Sequence, residues 1–297
     1  MVINGVEIED TYAEAFDVKM SRGLITAATQ KWARVAATEA TGFGTSVIMC
    51  PAEAGIERIV TGDETPDGRP GAYIQLYTFG FKSIEKQVMA RVGQCVLTAP
   101  TTAFFNGLPD VEKQIVLGKN LGFFGDGFQS AETIYDRDVY RIPMMEGDFI
   151  VENTVGAQAG VAGGNFLILA KNQLAGLAAA ENAVKAISKC EGTITPFPGG
   201  IVASGSKPGS LKYKFMKATT NQQYAPTLKD KIDNSLLSSD VNAVYEIVIN
   251  GTDVDVIKES TKAGINAATH SKDIVKISAG NYGGTLGKHL IQLRELF

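Results

Sequence analysis

A chain of 297 residues, 44% apolar and 20% charged, is long enough to bury one large core or two of ordinary size. Its net charge of −4 argues against nucleic-acid binding, which needs a basic face to release counterions. No apolar run reaches the roughly 18–20 residues that span a bilayer, and the opening MVINGVEIED is too acidic for a signal peptide, so a cytoplasmic location is expected. Three scattered cysteines (Cys50, Cys95, Cys190) and two histidines (His270, His289) offer neither a disulfide framework nor a transition-metal set, leaving Asp and Glu as the remaining ligand types.

Strand and helix patterns alternate along the chain. Residues 22–28 (RGLITAA) read as a strand, and 29–41 as a helix capped by Thr29 with Trp32, Val35 and Ala36 on one face. Residues 45–50 (TSVIMC) and 72–78 (AYIQLYT) read as strands, and 83–98 as a helix with Ile84, Val88, Val92, Cys95 and Val96 in phase. The order then returns. Residues 165–170 (NFLILA) read as a strand, 174–189 as an alanine-rich helix with Leu177, Val184 and Ile187 in phase, and 212–219 (KYKFMKAT) as a strand. Residues 243–249 (AVYEIVI) form a strong strand pattern, 253–269 a helix, and 274–278 the closing strand.

The motif P-x-x-x-G-I also occurs twice, starting at Pro51 and again 145 positions later at Pro196, and the flanking helices coincide at that offset. The repeat predicts an α+β fold of two ferredoxin-like βαββαβ lobes made by internal duplication, 1–155 and 156–297, with insertions at 108–149 and 221–242. Helices cover one face of such sheets, so the other face must be covered by the second lobe or another subunit.

Glycine clusters at 160–165, 196–205 and 280–288 allow close backbone approach to a ligand, although such loops often only turn the chain. Nucleotide motifs fail on context. Gly42-Phe-Gly44 follows a helix and lacks the third glycine of a dinucleotide fingerprint, Lys288 is followed by His289 rather than Ser or Thr, and no G-x-S-x-G elbow is present. Glu246 stands out, an acid within an apolar strand on the face of Val244 and Val248. Unpaired, it is expected to stay neutral near pH 7 and donate a hydrogen bond to an oxyanion or a departing amine. Paired with Lys or Arg at an interface, it is structural.

Read in full, the loops carry a more specific signal. The segments EDTYAEAF (9–16), EATGFGTSVIMCPAEAGIE (39–57), TPDGRPG (65–71), GQCVLTAPTTA (93–103), FFGDG (123–127), GVAGGNF (160–166), TPFPGGIVASGSK (195–207), VYEIVING (244–251) and KISAGNYGG (276–284) run in order through nearly the whole chain. In these blocks the sequence resembles the formylmethanofuran:tetrahydromethanopterin formyltransferases. The resemblance implies two ferredoxin-like lobes per subunit, a homotetramer built as a dimer of dimers, and no metal or prosthetic group. The coenzyme substrates are N-formylmethanofuran and tetrahydromethanopterin, in the one-carbon metabolism of methanogenesis.

The family's protonated acid maps onto Glu246, which would stabilise a tetrahedral intermediate as the pterin N5 attacks the formyl carbon in a ternary complex. Candidate substrate-binding residues are Cys50, Pro51, Glu53, Arg69, Asp126, Pro196, Phe197, Pro198, Gly199, Gly200, Ser204, Ser206 and Lys207. Among these, Arg69 and Lys207, with nearby Lys212, are either cations for the acidic coenzyme tails or solvated surface charges, while Glu53 and Asp126 bind a pterin or hold a loop. Cys50 raises a formyl-thioester route, although no base lies nearby in sequence. Two other readings remain open: a formyltransferase subunit of a bacterial transferase/hydrolase complex, and a non-catalytic ferredoxin-like scaffold or small-molecule sensor.

Overall fold

The computed structural model describes all residues from Met1 to Phe297. Two compact units divide it: one is Val18–Gly160, the other Met1–Asp17 together with Val161–Phe297. This division differs from the expected boundary near 155 in one respect, because the first 17 residues go with the C-terminal half. Strand Val6–Ile8 pairs in parallel with Ile274–Ser278, and His289–Gln292 pairs with residues 12–15, so backbone hydrogen bonds tie both chain ends into that unit.

In the unit Val18–Gly160 the elements run β1 (Tyr12–Thr26, from Val18 onward), α1 (Gln30–Thr41), β2 (Glu53–Val60), β3 (Gly71–Thr78), α2 (Phe81–Arg91) and β4 (Ala103–Asn106). Antiparallel pairing gives the order β4-β1-β3-β2. Beyond β4 lie Gly147–Glu152, parallel to it, and the antiparallel strands Arg137–Met144 and Ser130–Ile134, the last two within the expected first insertion. Thr29 caps α1 by accepting from the Trp32 N–H at 3.4 Å, as its position suggested. The buried stripe of α1 is Ala33, Ala36, Ala37 and Ala40, while Val35 stays 38% exposed. Small side chains let the helix lie close to the sheet, and this outweighs the larger apolar residues on its flank.

Two expected strands in the chain do not form. Residues 45–50 make a turn, with Ser46 C=O accepting from the Met49 and Cys50 N–H groups and the Glu53 carboxylate accepting from Val47 N–H. Of 212–219, only Ala218–Thr219 is extended, in a two-residue pairing with Lys207–Pro208. Short apolar runs satisfied the period in both places, but the backbone found its hydrogen bonds locally.

The second unit repeats a similar sequence of elements: β5 (Thr154–Ala170, from Val161 onward), α3 (Gln173–Ile187), β6 (Thr193–Ile194), β7 (Ala243–Gly251), α4 (Val254–Thr269) and β8 (Ile274–Ser278). Its antiparallel order is β8-β5-β7-β6. Alternation sends Phe166, Ile168, Ala170, Ile247 and Ile249 towards α3 and α4, where they form the core with Ala179, Ala180, Ala183, Ile257 and Ile265. Each large side chain buried there contributes about 1.5–3 kcal/mol. Asn172 and Asp253 cap the two helices. As in α1, alanines rather than Leu177 make the buried stripe of α3.

The opposite face of this sheet carries Leu167, Leu169 and Val244. They pack with Val241, Tyr224 and Leu237, contributed by the long segment between β6 and β7. The expectation assigned that cover to the second lobe or another subunit. Here the chain's own insertion supplies it, and a cavity remains between the two.

Candidate active site

Strand β7 places Glu246 on the sheet face away from the helices, opposite Leu167 on β5. On its other side Glu246 forms an isolated bridge with Val202, each residue's N–H donating to the other's C=O at 2.9 and 2.8 Å. The acid is thus fixed by backbone bonds to two neighbours, and its side chain projects into a cavity of about 320 Å³. Ser204, Ser206 and Lys207 line one wall, Asn221, Gln223 and Tyr224 another, and Ala279, Gly280, Asn281 and Tyr282 a third.

No cation pairs with the Glu246 carboxyl, and no side chain or backbone N–H donates to it. Protein surrounds it everywhere except towards the cavity, and burial alone pushes its pKa up to about 7. Burial also pushes up the phenol of Tyr282, and the nearby charges of Glu246 and Glu14 add to the shift. Tyr224, likewise raised by burial, has its hydroxyl 3.1 Å from the buried Ser278 hydroxyl. Lys207 Nζ, the one cation of the cavity wall, donates to Thr219 Oγ1 at 2.8 Å. The arrangement is a partly apolar cleft with a poised acid at its base and neutral hydroxyl and amide groups around it. Such a site suits a reaction in which negative charge grows on an oxygen and a proton must then reach a departing nitrogen. No group of three or more His, Cys, Asp or Glu side chains is gathered to hold a metal ion.

Comparison with known proteins bears on what this cleft handles. Residues 1–144 match the family model described as formylmethanofuran-tetrahydromethanopterin formyltransferase, and 147–296 match the model of its proximal lobe. The chain belongs to this formyltransferase family. The formylmethanofuran--tetrahydromethanopterin formyltransferase of Methanosarcina mazei is 64% identical over the full length of both chains. The solved formyltransferase of Methanosarcina barkeri superposes with a TM-score of 0.98 at 63% identity, with full coverage of both chains. A chain of the formyltransferase/hydrolase complex of Methylorubrum extorquens, solved with methylofuran, gives 0.95 at 45% identity, covering 100% of this chain and 98% of that one.

Of the residues singled out in the sequence, Glu246, Ser204, Ser206 and Lys207 meet in the cavity. Pro196, Phe197, Pro198, Gly199 and Gly200 do not line it. They form the turn that delivers Val202 to Glu246, with Gly200 N–H donating to Phe197 C=O at 2.7 Å. Gly200 has φ 80°, and a Cβ there would come within 2.6 Å of Thr195 Oγ1, so the turn requires glycine.

Cys50, Pro51, Glu53, Arg69 and Asp126 belong to the other unit. Arg69 is held by Asp67, Thr26 and the Thr101 C=O, so all three guanidinium nitrogens already have internal partners. Burial opposes ionisation of the Cys50 thiol, but hydrogen bonds from Ser46 and Thr45, with Arg91 nearby, lower its pKa on balance. Asp126 is an exposed residue at φ 52°, a helix-ending conformation that Asp tolerates.

Tyr282, Asn281, Tyr224, Asn221 and Gln223 escaped sequence reasoning. Tyr282 sits in the glycine-rich block KISAGNYGG, where a single aromatic among glycines was the available signal.

Proposed function

We propose that the chain transfers the formyl group between N-formylmethanofuran and N5 of tetrahydromethanopterin by direct transfer in a ternary complex, with neutral Glu246 as the acid. The observation that carries this reading is an unpaired carboxyl, held at a pKa of about 7, facing a cleft in a member of this family. N5 attacks the formyl carbon, and the carbonyl π-electrons move to oxygen. Glu246 hydrogen-bonds the resulting oxyanion, a contribution of typically about 3–4 kcal/mol. Collapse of the intermediate breaks the bond to the methanofuran amine, which takes the Glu246 proton, and the carboxylate recovers one from N5. Coenzyme substrates carry the chemistry, and no resident metal or prosthetic group is invoked.

The same strand order in both units, with two helices between the strands, supports two ferredoxin-like lobes from a duplication of the halves 1–155 and 156–297. We place the enzyme in the cytoplasm as a homotetramer, a dimer of dimers. No helix is long and apolar enough to cross a membrane. Identities of 63–64% to the two Methanosarcina formyltransferases, against 45% to the chain of the bacterial complex, favour action without a hydrolase partner.

The test is formyl transfer by purified Glu246→Gln with both coenzymes. Turnover is expected to fall a hundredfold or more with binding retained, and undiminished turnover removes Glu246 from the mechanism.

A further inference from the structure

The mechanism leaves one buried carboxylate unused. Glu14, on β1, is 0% exposed and has no cationic partner. Its two oxygens accept four backbone N–H bonds from one short stretch of chain. Oε1 accepts from Tyr282 at 2.5 Å and Gly284 at 2.6 Å, and Oε2 accepts from Leu286 at 3.0 Å and Gly287 at 2.8 Å. Four amides within six residues converge in this way only if the chain curls around the acceptor, and Gly283 and Gly284, at φ 73° and 71°, supply the curl.

Removing water from Glu14 raises its pKa, but the donors Gly287, Tyr282, Gly284 and Leu286 outweigh that and hold it below the usual carboxylate range. The group is therefore a fixed anion balanced by backbone dipoles. The stretch it organises is also pinned at its near end. Asn165 accepts from Gly280 N–H at 2.6 Å and donates to Gly280 C=O at 3.0 Å. At the far end Asp17 binds Lys288 Nζ at 2.6 Å and His289 Nε2 at 2.7 Å. Between these ends, Asn281 and Tyr282 form a wall of the cavity that holds Glu246.

We infer that Glu14 is a positioning residue for formyl transfer: its buried carboxylate clamps the 282–287 loop so that Tyr282 closes the wall of the cleft facing Glu246. A carboxylate is required because all four partners are donors. An amide would turn its own N–H groups towards two of them and leave those N–H groups unpaired. With the loop released, water enters the cleft, the desolvation that keeps Glu246 neutral weakens, and the coenzymes lose a wall. The other titratable groups lining the cleft, Lys207 and Tyr224, are held by their own partners, Thr219 and Ser278, outside the clamp.

The test is Glu14→Gln in the full chain, read three ways. KM for at least one coenzyme is expected to rise about tenfold or more. The falling limb of the pH–rate profile is expected to move to lower pH by about half a unit or more, because a wetter Glu246 deprotonates earlier. Amide exchange of residues 282–287 is expected to quicken while residues 243–251 keep their protection. Unchanged KM and an unmoved limb overturn the proposal, as does an equal loss of protection in 243–251, which signals general destabilisation. Should Glu14→Gln fail to fold, Gly283→Ala strains the same cradle from its open side, where a Cβ meets nothing within 4 Å, and wild-type KM and limb in that variant overturn the proposal.

Only the pH limb rests on the role proposed for Glu246. Full turnover by Glu246→Gln sinks that role, while the KM and exchange results still decide the role of Glu14.

Discussion

Two carboxylates on the sheets of the two units have opposite fates. In the unit Val18–Gly160, Glu57 of β2 is 4% exposed and held by the Arg22 guanidinium through two bonds of 2.7 and 2.9 Å. Gln75 donates to it at 2.8 Å and in turn takes a short bond from Tyr77, while Arg22 lies 4.0 Å over the ring of Tyr73. In the other unit, Glu246 of β7 has no such partner and faces a cleft. One arrangement satisfies a buried charge and fixes a sheet. The other leaves the acid unsatisfied, so that it stays protonated near neutral pH and is available to a substrate. The same strand order tolerates both, and the neighbours decide which acid is paired and which is left neutral beside a cavity.

The comparison can be broken from either side. Arg22→Leu removes both guanidinium bonds from the buried Glu57 carboxylate and is expected to cost about 3–5 kcal/mol of stability in denaturant unfolding. A change below about 1 kcal/mol, the range of surface pairs, makes Glu57 no more structural than they are. Glu246→Gln, by contrast, is expected to lose at least about a hundredfold in kcat, or about 2.7 kcal/mol of transition-state stabilisation, while remaining folded. In the wild type kcat should fall as pH rises through about 7, since the protonated acid is the proposed working form.

Thermal stability sharpens the contrast further. The pKa of Glu246 is higher in the folded state than in the unfolded chain, so its contribution is fully present below about 4.5 and is lost as pH rises through about 7. Glu246→Gln cannot ionise and should therefore gain Tm relative to wild type above pH 7, the two curves converging below pH 4.5. Parallel curves across that range count against a neutral Glu246. The smallest effect is expected from Cys50→Ala, with activity within about tenfold of wild type, because direct transfer needs no thioester; near-complete loss restores the covalent route.

Much of this architecture was legible along the chain. The alternation in AVYEIVI placed Glu246 on the face of Val244, and Thr29 marked a helix start. The short runs 45–50 and 212–219 misled because periodicity over six to eight residues does not say whether a partner strand exists. Side-chain size misled in α1 and α3, where alanine rather than the bulkier neighbours faces the core. The cavity wall at 221–224 gave no signal, since residues inside an insertion have no period to betray a face.

By itself the sequence determined the local grammar: alternation, caps, glycines at turns, one acid among aliphatic residues, and blocks specific enough to identify a family. Those features depend on bonds and contacts within a few residues. Only the tertiary structure decided that the insertion roofs the sheet, that Tyr282 shares a cleft with Glu246, and that Glu14 accepts from amides 268 or more positions away, Tyr282 among them. A buried carboxyl becomes a neutral acid or a fixed anion according to the donors that fold against it, and those donors come from distant parts of the chain.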